Sequence, residues 1–577
     1  MVCPQVSRGG TVLSCAAILG TLAWPGAGTA WGQAEPLPFD ETNPVIYDND
    51  GAWESGWLDV YILSLASAGA IDLRGIVTSS SFGEEARTPP YSALENGEVT
   101  QERQLLIEKA RRSGIGRVPD ALAGPSLSFQ SRKPATGRIE DTVPFNSPAA
   151  QFIVQEARKA TAAKPLVILM GGQATAVADA FLLDPSIADR VVLSWIILKN
   201  LKEQEKLTAA TYNGMVDGWG TYIALEKFRS VILPESVPYG ATEVTWKNWG
   251  PWVPKEKLFD LPDTELRQTM IEAWPVLNER YSGRDADSMV AFPVTRDDYI
   301  QETRRYTFSG WQNVSFDWAG PVVQTQVPVY APASAGKLLV VFQASQNVAT
   351  DEFWSRLKAP AAWGPSVGQV PFGAPMGGPP WPVPGTIEAE HFDFGGTGRG
   401  HKDNTININK DASWINPLRL MENADVYDSG TASGKYKIGS TEAGEWLAYT
   451  VDVAAAGTYT LEVRVASKGS GGTFHVEFDG TNRTGGLAVP DTGGWDTWTT
   501  LKKTGIPLAA GRQVLRLVME ANGGTGAVGD FDSVRLVAET PPGAPGSGSD
   551  SDDGRCGATG IEMLLLLGLA RFLRRTV

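Results

Sequence analysis

The sequence predicts two folded domains in one chain, an α/β domain with a mainly parallel sheet followed by an all-β sandwich. The length of 577 residues is too great for a single core. Before residue 360, short apolar runs alternate with helical patterns, whereas after residue 384 short strand patterns alternate with Gly-rich turns. The first pattern is typical of βαβ units with a parallel sheet, and the second is typical of a sandwich.

Pro/Gly-rich segments and the two chain ends set the predicted boundaries. Segments 361–383 and 539–556 are rich in Pro and Gly, and the second also in Ser and Asp, which favours linkers. The predicted organisation is a signal peptide at 1–34, an α/β domain at 36–360, a Pro/Gly-rich linker at 361–383, a β-sandwich at 384–538, an acidic Ser/Gly/Pro linker at 539–556 and a C-terminal tail at 557–577.

The N-terminus has the pattern of a secretory signal peptide. Arg8 precedes the apolar run TVLSCAAILGTLAW, and small residues suitable for cleavage surround Ala30, with Ala34 as an alternative. The LSC sequence before Ala16 is similar to a lipoprotein processing site, although the apolar run follows Cys15 instead of preceding it. We therefore expect an exported protein, either secreted or associated with the cell surface or outer membrane.

The C-terminus combines an acidic spacer, Cys556, a short apolar stretch and the basic residues Arg571, Arg574 and Arg575. The apolar stretch is shorter than the roughly 20 residues of a membrane span, and Glu562 interrupts it. One interpretation is a terminal amphipathic helix. The order of these features also resembles the C-terminal sorting tails of myxobacterial surface proteins, which implies export or sorting machinery as a partner.

Charge and cysteine content argue against a nucleic-acid-binding protein and against a disulfide-stabilised one. The formal net charge of −15 argues against a nucleic-acid partner, which would need many Lys or Arg contacts to phosphate. Cys3 and Cys15 lie in the predicted signal peptide and Cys556 lies in the tail. The folded domains are therefore predicted to lack disulfides and to depend on core packing and bound metal.

The first domain begins with a strand pattern, PVIYDND, followed by a helix pattern, LDVYILSLASAG. The alternation continues with the strand IDLRGIVTSSS and the helix QERQLLIEKARRSG, and later with the helix AAQFIVQEARKATA, the strand KPLVILMGG, the helix ATAVADAFLLDP and the strand DRVVLSWI. Parallel strands gather ligands at their carboxyl ends, where Asp48 and Asp50 are predicted to lie.

Three carboxylates, Asp48, Asp50 and Asp59, surround this strand end. Calcium prefers several carboxylate and carbonyl oxygens, and a metal-bound water beside an Asp is a usable nucleophile. The alternative is structural, because Asp48 would cap a turn and Asp59 would place negative charge at a helix N-terminus. These residues alone leave both interpretations open.

Four segments in order resemble the inosine-uridine-type nucleoside hydrolases and cover nearly the whole first domain. They are DNDGAWESGWLDVYILSLASAG, KPLVILMGGQATAVADAFLLDPSIADRVVLSWI, TYNGMVDGWGTYIALEKF and LLVVFQASQNVATDEFWSRL. The resemblance implies a nucleoside-hydrolase fold and a reaction in which calcium-bound water attacks the anomeric carbon of a riboside or related glycoside.

This resemblance also implies roles for individual residues. Asp50 would be the metal-bound catalytic base, Asp48 would orient it, and Asn213 would hydrogen-bond the sugar hydroxyls. The implied calcium ligands are Asp50, Asp59, the backbone carbonyl of Ala174, and Asp287, with Asp285 as a competing choice for the last. Two departures concern the sugar and base: the family's Glu before the Asn motif is Thr211, and every histidine follows the linker. No histidine of the first domain can therefore protonate a leaving group.

Tryptophans are the other candidates for substrate contact. Trp53 and Trp57 lie in an insertion, and Trp195 and Trp219 fall in or beside the resembling segments. Each would either stack on a sugar ring or base, or pack as an ordinary core residue. Glu54, between the first two, would be an acid or a solvated loop charge.

Segments along the whole second domain resemble the family 6 carbohydrate-binding modules. They are GTIEAEHFD, KIGSTEAGEWLAYTVDVAAAGTYTLEVRVAS, VPDTGGWDTWTTL and GDFDSVRLV. The resemblance implies a jelly-roll sandwich, a glycan ligand and a structural calcium ion. The implied calcium ligands are Glu388, Glu390 and Asp532, and the two glutamates alternate so that both can face one ion. Two solvated glutamates on one face are the alternative.

The same resemblance implies a sugar site. Trp495 is predicted to stack on a sugar ring and Asp530 to make a polar contact to the ligand. Where the family often has a second aromatic residue, this chain has Ser440. Trp446 and Trp498 are predicted to be core residues.

Two functions from different classes fit these observations. The first is an exported calcium-dependent glycosidase of the nucleoside-hydrolase fold, which a carbohydrate-binding module targets to polysaccharide or another glycan. The second is a non-catalytic surface carbohydrate-binding protein whose first domain keeps the fold without the chemistry. The surviving Asp50, Asp59 and Asn213 favour the enzyme, whereas Thr211 and the missing histidine favour the binding protein.

Overall fold

The computed structural model describes residues 34–50, 57–79, 96–202, 205–316, 323–405, 418–419 and 422–539. The predicted signal peptide, acidic linker and C-terminal tail lie outside the described residues, apart from Ala34 and Glu539. Trp53 and Glu54 also lie outside them, and of Trp57 only the backbone is described.

Within the described residues, the first domain contains an 11-stranded sheet and a separate two-stranded sheet. Its strands are β1 (Pro44–Asn49), β2 (Asp72–Thr78), β3 (Ala121–Ala123), β4 (Leu166–Met170), β5 (Val191–Ile196), β6 (Lys199–Asn200), β7 (Leu207–Thr208), β8 (Arg229–Leu233), β9 (Ser236–Tyr239), β10 (Thr242–Thr245), β11 (Ile300–Phe316), β12 (Val323–Pro332) and β13 (Leu338–Ala344). The large sheet has the order β3-β2-β1-β4-β5-β8-β13-β11-β12-β7-β6.

Helices cover this sheet and join most of its parallel strands. They are α1 (Val60–Ala68), α2 (Asn96–Arg112), α3 (Pro148–Lys159), α4 (Thr175–Leu183), α5 (Tyr212–Val216), α6 (Gly218–Lys227), α7 (Lys255–Leu258), α8 (Glu265–Tyr281), α9 (Phe292–Thr295) and α10 (Gln346–Leu357). Short 3-10 turns include Trp57–Asp59 and Asp287–Val290. Capping follows local chemistry, since the Ser147 side chain accepts the N–H of Ala150 and Pro148 begins α3.

The pairing confirms the predicted α/β organisation. Strands β3, β2, β1, β4, β5, β8 and β13 pair in parallel, whereas β11, β12, β7 and β6 add antiparallel partners at one side. Strand β4 is buried throughout, as expected for a central parallel strand covered on both faces. The nucleoside-hydrolase fold itself stays a prediction.

The second domain is a sandwich of two mainly antiparallel sheets. Its strands are β14 (Trp381–Val383), β15 (Gly385–Glu388), β16 (His401–Lys402), β17 (Val426–Asp428), β18 (Tyr436–Ile438), β19 (Trp446–Val453), β20 (Gly457–Ser467), β21 (Thr473–Phe478), β22 (Thr481–Asn482), β23 (Leu487–Ala488), β24 (Gly494–Leu508), β25 (Gly511–Ala521) and β26 (Asp530–Ala538). One sheet runs β14-β19-β25-β21-β22 and the other runs β17-β18-β26-β20-β24. Buried and less buried residues alternate along β20 and β25, so their apolar faces form the core between the sheets.

The Pro/Gly-rich segment 361–383 packs against both domains. The N–H of Gly364 donates to the carbonyl of Gly114 at 2.7 Å. At the other end, β14 pairs in parallel with β19, so the sandwich begins before the predicted boundary at 384. His391 stacks on Phe372 and Trp381, with ring centroids 4.5 and 5.6 Å apart. A segment without long regular elements is therefore still held at both ends.

Side chains also join the two domains directly. Arg112 of α2 makes two 2.8 Å hydrogen bonds to Glu265 of α8, and its guanidinium lies 4.1 Å from the ring centroid of Phe394 in the second domain. Nearby, the hydroxyl of Thr397 donates to Glu272 of α8. The domains thus share an interface with buried charged groups.

Candidate functional site

The carboxyl ends of β1 and β4 meet at a cluster of buried carboxylates. Asp50 follows β1 directly, and the Gly171–Gly172 turn follows β4. A Cβ atom on Gly172 would lie 2.7 Å from the Asp50 nitrogen, and one on Gly171 would lie 3.0 Å from Cγ of Asp287. The double glycine therefore lets Asp50 and Asp287 approach the same turn.

Asn49 and Tyr47 connect the carboxylates of this cluster. The Asn49 amide donates to the Tyr47 hydroxyl and, at 3.1 Å, to Oδ2 of Asp287. The Tyr47 hydroxyl donates to Oδ1 of Asp59 at 2.7 Å. Neutral donors thus occupy one oxygen of Asp59 and one of Asp287, two of the predicted calcium ligands.

A guanidinium lies inside the same cluster. Arg103 of α2 forms an ion pair with Oδ2 of Asp59, and both side chains are 1% exposed. The guanidinium carbon lies 5.8 Å from the ring centroid of Tyr47. Burial lowers the pKa of Arg103, whereas its neighbours Tyr47, Asp287, Asp50 and Asp48 raise it. The predicted carboxylate site therefore contains a positive charge of its own.

Burial and mutual repulsion disfavour ionisation of the remaining carboxylates. Burial raises the pKa of Asp48 to about 8, although the Ser79 hydroxyl donates to it at 2.8 Å. Burial and the charge of Asp287 raise the pKa of Asp50 to about 7 and that of Asp285 to about 8. One guanidinium does not balance all the carboxylates of the cluster, which favours protonation of some of them.

The predicted calcium ligands of the first domain are gathered but not arranged as a coordination shell. Asp287, rather than Asp285, contacts Asn49. The Ala174 carbonyl accepts the N–H of Ala178 at 2.8 Å as the first bond of α4. In the described part of the chain, no group of three or more His, Cys, Asp or Glu side chains is arranged so that it could hold a metal ion. The calcium ion stays a prediction. The guanidinium paired with Asp59 argues against it, because a positive charge on a predicted ligand repels a cation.

Backbone strain accompanies the position of Asp59. Leu58 and Asp59 both adopt left-handed conformations, with φ of 67° and 51°, immediately before α1. Such conformations are costly for residues with a side chain and persist where surrounding contacts fix them. The bonds of Asp59 to Tyr47 and Arg103 are contacts of that kind.

The sugar-binding half of the predicted site is only partly visible. The Asn213 side chain donates to the Gly171 carbonyl at 2.7 Å, which places it beside the same turn as Asp50. Trp53 lies outside the described residues, as does the side chain of Trp57. Trp195 and Trp219 are both buried, with indole N–H groups bonded to Gly172 and Thr142 respectively. These last two are core residues.

A carboxylate that the sequence analysis missed lies at the same edge of the sheet. Glu235 follows β8, and Thr211 donates a side-chain hydrogen bond to it. Burial and the charge of Asp287 raise its pKa to about 7. Glu235 thus places a carboxylate from another part of the chain next to Thr211, the position at which the sequence resemblance predicts a Glu. Its position at the end of an apolar parallel strand was the available signal.

The predicted calcium ligands of the second domain converge on the Ser433–Gly434 turn. The Ser433 hydroxyl bonds Oε2 of Glu388 at 2.6 Å, and its N–H donates to Oδ1 of Asp532 at 2.6 Å. A Cβ atom on Gly434 would lie 2.7 Å from Oε1 of Glu390. Glu390 is fully buried, and neither carboxylate oxygen has a hydrogen-bond partner in the described residues. Unpartnered buried oxygens such as those of Glu390 suit a cation. Asp532, however, is paired with Arg464 at 2.7 Å, and the three carboxylates are not arranged as a metal-binding group in the described residues, so this calcium ion also stays a prediction.

The predicted sugar-binding residues lie around one end of the sandwich. Lys437 links them, because its ammonium lies 2.8 Å from Oδ2 of Asp530 and donates to the Trp495 carbonyl at 3.0 Å. The Tyr427 hydroxyl bonds Ser440 at 2.9 Å, and its ring and Asp530 both lie about 3 Å from where a Cβ on Gly439 would be. Tyr427 therefore supplies an aromatic ring next to Ser440. Because Tyr427 is 13 residues from Ser440 in the sequence, the sequence pattern did not indicate that the two are neighbours.

Two tryptophans of the second domain differ from the prediction. Trp446 and Trp498 are half-buried and lie outside the hydrophobic core cluster. Arg516 covers Trp446 at 4.3 Å from its ring centroid, and Arg464 covers Trp498 at 5.1 Å. Arginine side chains bury these rings from outside the sandwich, which hydrophobicity alone does not predict.

Comparison with known protein families decides the nature of the second domain. The profile described as "Carbohydrate binding module (family 6)" matches residues 418–538. These residues are a family 6 carbohydrate-binding module. The match covers β17–β26 of the sandwich and includes Trp495, Asp530 and Asp532. The strands from residue 381 to residue 402 precede the match and complete the two sheets of the module.

Individual proteins are similar to parts of the chain. The clotting factor G alpha subunit of Tachypleus tridentatus is 37% identical over 79 residues, which cover 13% of this chain and 12% of that protein. An isomaltosyltransferase of Sporosarcina globispora is 35% identical over 97 residues, which cover 17% of this chain and 8% of that protein. The chain thus spans about a tenth of the length of these curated relatives.

Solved structures of carbohydrate-binding modules also match. One is a module of Cellvibrio mixtus lichenase 5A in complex with cellotriose, which is 26% identical, covers 27% of this chain and 98% of its own, and has a TM-score of 0.20. Another is a β-1,3-glucan-binding module of Bacillus halodurans, which is 21% identical, covers 28% of this chain and 100% of its own, and has a TM-score of 0.21.

The helices were also compared with the requirements of a membrane span. None in the described part of the chain has the length and apolar character that a crossing requires.

Proposed function

We propose that this chain is an exported glycan-binding protein that holds its ligand at the module end formed by Tyr427, Trp495 and Asp530. The single observation that carries the proposal is the Tyr427 ring, which lies beside Ser440 and Asp530 where sequence alone indicated no second aromatic residue. Aromatic faces and nearby polar groups are the usual elements of a ligand site that needs both contact area and direction.

Electrostatics at this end favour a neutral, hydroxyl-rich ligand. Asp530 is neutralised by Lys437 at 2.8 Å, and the same ammonium contacts Asp496 at 3.1 Å. With one ammonium and two carboxylates, this group carries a net negative charge of one, which disfavours an anionic ligand. Sugar hydroxyls donate and accept hydrogen bonds, so a neutral polysaccharide matches these donors and acceptors better than an anionic one.

The test measures binding of the full chain to a panel of soluble glycans by calorimetry. Trp495→Ala and Tyr427→Ala should each weaken binding at least about tenfold, as expected when a central aromatic contact is removed. Trp252→Ala is the matched control, because Trp252 is an exposed tryptophan of the first domain. Unchanged affinity in the double variant Trp495→Ala/Tyr427→Ala would refute this binding end.

Hydrolysis of a riboside or related glycoside by the first domain is a second candidate. The observation that favours it is the position of Asp50, Glu235 and Asn213 at one sheet edge. Asp50 and Asn213 contact the Gly171–Gly172 turn, and Glu235 is bonded to Thr211. Burial and the charge of Asp287 raise the pKa of both Asp50 and Glu235. Asp50 would accept a proton from the attacking water, and Glu235 would donate one to the leaving group. The predicted calcium ion is not needed for either proton transfer.

The test of this second candidate is sugar release from a panel of nucleosides and glycosides by the full chain. Asp50→Asn and Glu235→Gln should each lower the rate by about 10²–10⁴-fold, the usual effect of losing a general acid or base. Glu243→Gln is the control, because Glu243 is an exposed carboxylate on β10. Absence of release from every substrate would leave the binding function alone.

A further inference from the structure

Helix α2 buries four charged side chains, those of Glu102, Arg103, Lys109 and Arg112, and Arg103 is the one that lies within its apolar row. Its buried residues include Val99, Arg103, Leu106, Ile107 and Ala110, which recur at the spacing of a single helix face. The four apolar residues of this row, Val99, Leu106, Ile107 and Ala110, occupy positions that pack inward in an amphipathic helix. A guanidinium in that row is costly unless fixed negative charges surround it.

Those charges come from the carboxyl edge of the sheet. Arg103 pairs with Asp59 and lies over the Tyr47 ring, and Tyr47 and Asn49 extend the network to Asp287. We propose that the guanidinium of Arg103 takes the place of a divalent cation in this carboxylate cluster, so that the first domain folds without bound calcium. This proposal is independent of glycan binding by the module.

The ligand chemistry of Asp59 and the charge of Arg103 both support this assignment. Calcium takes six to eight oxygen ligands, mostly carboxylates and carbonyls. Both Asp59 oxygens already have partners, Tyr47 and Arg103, and the predicted Ala174 carbonyl belongs to a helix hydrogen bond. Arginine stays protonated in proteins, so it would repel a metal ion bound to its own partner. The guanidinium and the metal are therefore alternatives.

The experiment compares calcium effects on hydrogen exchange in the full chain. Glu390→Ala is introduced throughout, so that the predicted module site does not contribute to the response. Peptides covering Pro44–Asn49 and Asp287–Val290 report on the cluster. With Arg103 present, excess calcium should leave their exchange rates unchanged. In Arg103→Met, calcium at about 100 times its Kd should slow exchange about a hundredfold.

Three results distinguish the outcomes. Calcium protection of these peptides in the protein with Arg103, abolished by Asp50→Asn, would overturn the proposal because the metal would bind beside the guanidinium. A folded Arg103→Met protein that does not respond to calcium would also overturn it, because the cluster would not be a cation site. Arg103→Lys, which keeps a positive charge, should behave like the parent.

Loss of folding in Arg103→Met is also informative. If this variant is unfolded without metal, refolding is attempted with and without calcium. Recovery of folded protein with calcium would support the proposal, since the ion would replace the missing cation. Failure of calcium to restore the fold, while Arg103→Lys folds normally, would overturn it.

Discussion

Two groups of buried carboxylates, one in each domain, both contain an arginine, but the arginines enter them to different depths. In the first domain, Arg103 and its partner Asp59 are each 1% exposed. In the module, Arg464 contacts the fully buried Asp532 at 2.7 Å but is itself 32% exposed. The first arginine is therefore part of the interior, and the second covers its cluster from the rim.

The carboxylate oxygens differ in the same way. One oxygen of Asp59 accepts a hydrogen bond from Tyr47 and the other lies in the ion pair with Arg103, whereas neither oxygen of Glu390 has a hydrogen-bond partner in the described residues. A third buried carboxylate, Glu272 at the domain interface, accepts a bond from Thr397, and burial raises its pKa to about 7. Buried carboxylates of this chain thus face different neighbours: Asp59 faces a guanidinium, Glu272 a hydroxyl group, and Glu390 no hydrogen-bond donor in the described residues. A cation beside Glu390 stays a prediction.

The largest effect is expected for Arg103→Met. Removal of one member of a buried ion pair leaves an uncompensated charge, which typically costs about 3–5 kcal/mol of unfolding free energy. Hydrogen-exchange protection of first-domain peptides, measured without calcium, reports the loss of unfolding free energy of the first domain without a contribution from the module. A loss below about 1 kcal/mol would mean that Arg103 does not neutralise the interior cluster, and would remove the contrast between the two domains.

Calcium should have an effect of similar size to that of the ionisation of Glu272, and it should act on the module. If Glu388 and Glu390 bind calcium, saturation at about 100 times the Kd stabilises the folded module by about 2.7 kcal/mol. Differential scanning calorimetry with calcium and with a chelator measures the shift. Glu390→Ala should abolish the shift, whereas Glu477→Ala, which changes a carboxylate on β21, should keep it. An equal calcium response in Glu390→Ala would place the ion elsewhere.

The interface carboxylate Glu272 should make stability depend on pH. Burial raises its pKa from 4.5 to about 7, with Glu422 and Asp403 raising it further and Lys109 opposing them. The folded state therefore holds a proton that the unfolded state releases. The resulting stability is fully present below about pH 4.5 and is lost as the pH rises to about 7, by up to about 3 kcal/mol at 1.4 kcal/mol per pKa unit.

Glu272→Gln isolates this contribution, because an amide keeps an acceptor for Thr397 and cannot ionise. The difference in urea midpoint between the parent and the variant, followed from pH 4.5 to 7, should favour the variant increasingly as the pH rises. A difference that does not vary with pH would show that Glu272 is already ionised in the folded protein.

The smallest effect is expected for Arg464→Met. This arginine is 32% exposed, and the N–H and hydroxyl of Ser433 also bond Asp532, at 2.6 and 2.9 Å. An exposed ion pair typically contributes about 0–1 kcal/mol. Module peptides should therefore lose at most about 1 kcal/mol of exchange protection. A loss as large as that of Arg103→Met would show that exposure does not separate the two arginines.

Local patterns in the sequence were sufficient for the organisation of the chain. Strand and helix alternation predicted β1, α1, β4 and α4, and period-two alternation predicted strands such as β20 and β25. The position of Asp48 and Asp50 at a strand end followed from the same patterns. These features depend on backbone geometry over a few residues, so sequence spacing records them directly.

The residues around each carboxylate were decided only by tertiary structure. Arg103 reaches Asp59 from a different helix, Glu235 reaches Thr211 from a later strand, and Tyr427 meets Ser440 across a strand pair. No short period links such partners, because packing of distant segments brings them together. The sequence by itself determined that there are two domains, where several of their strands lie along the chain, and which strand ends are acidic. Which cation those acids face is a property of the packed fold.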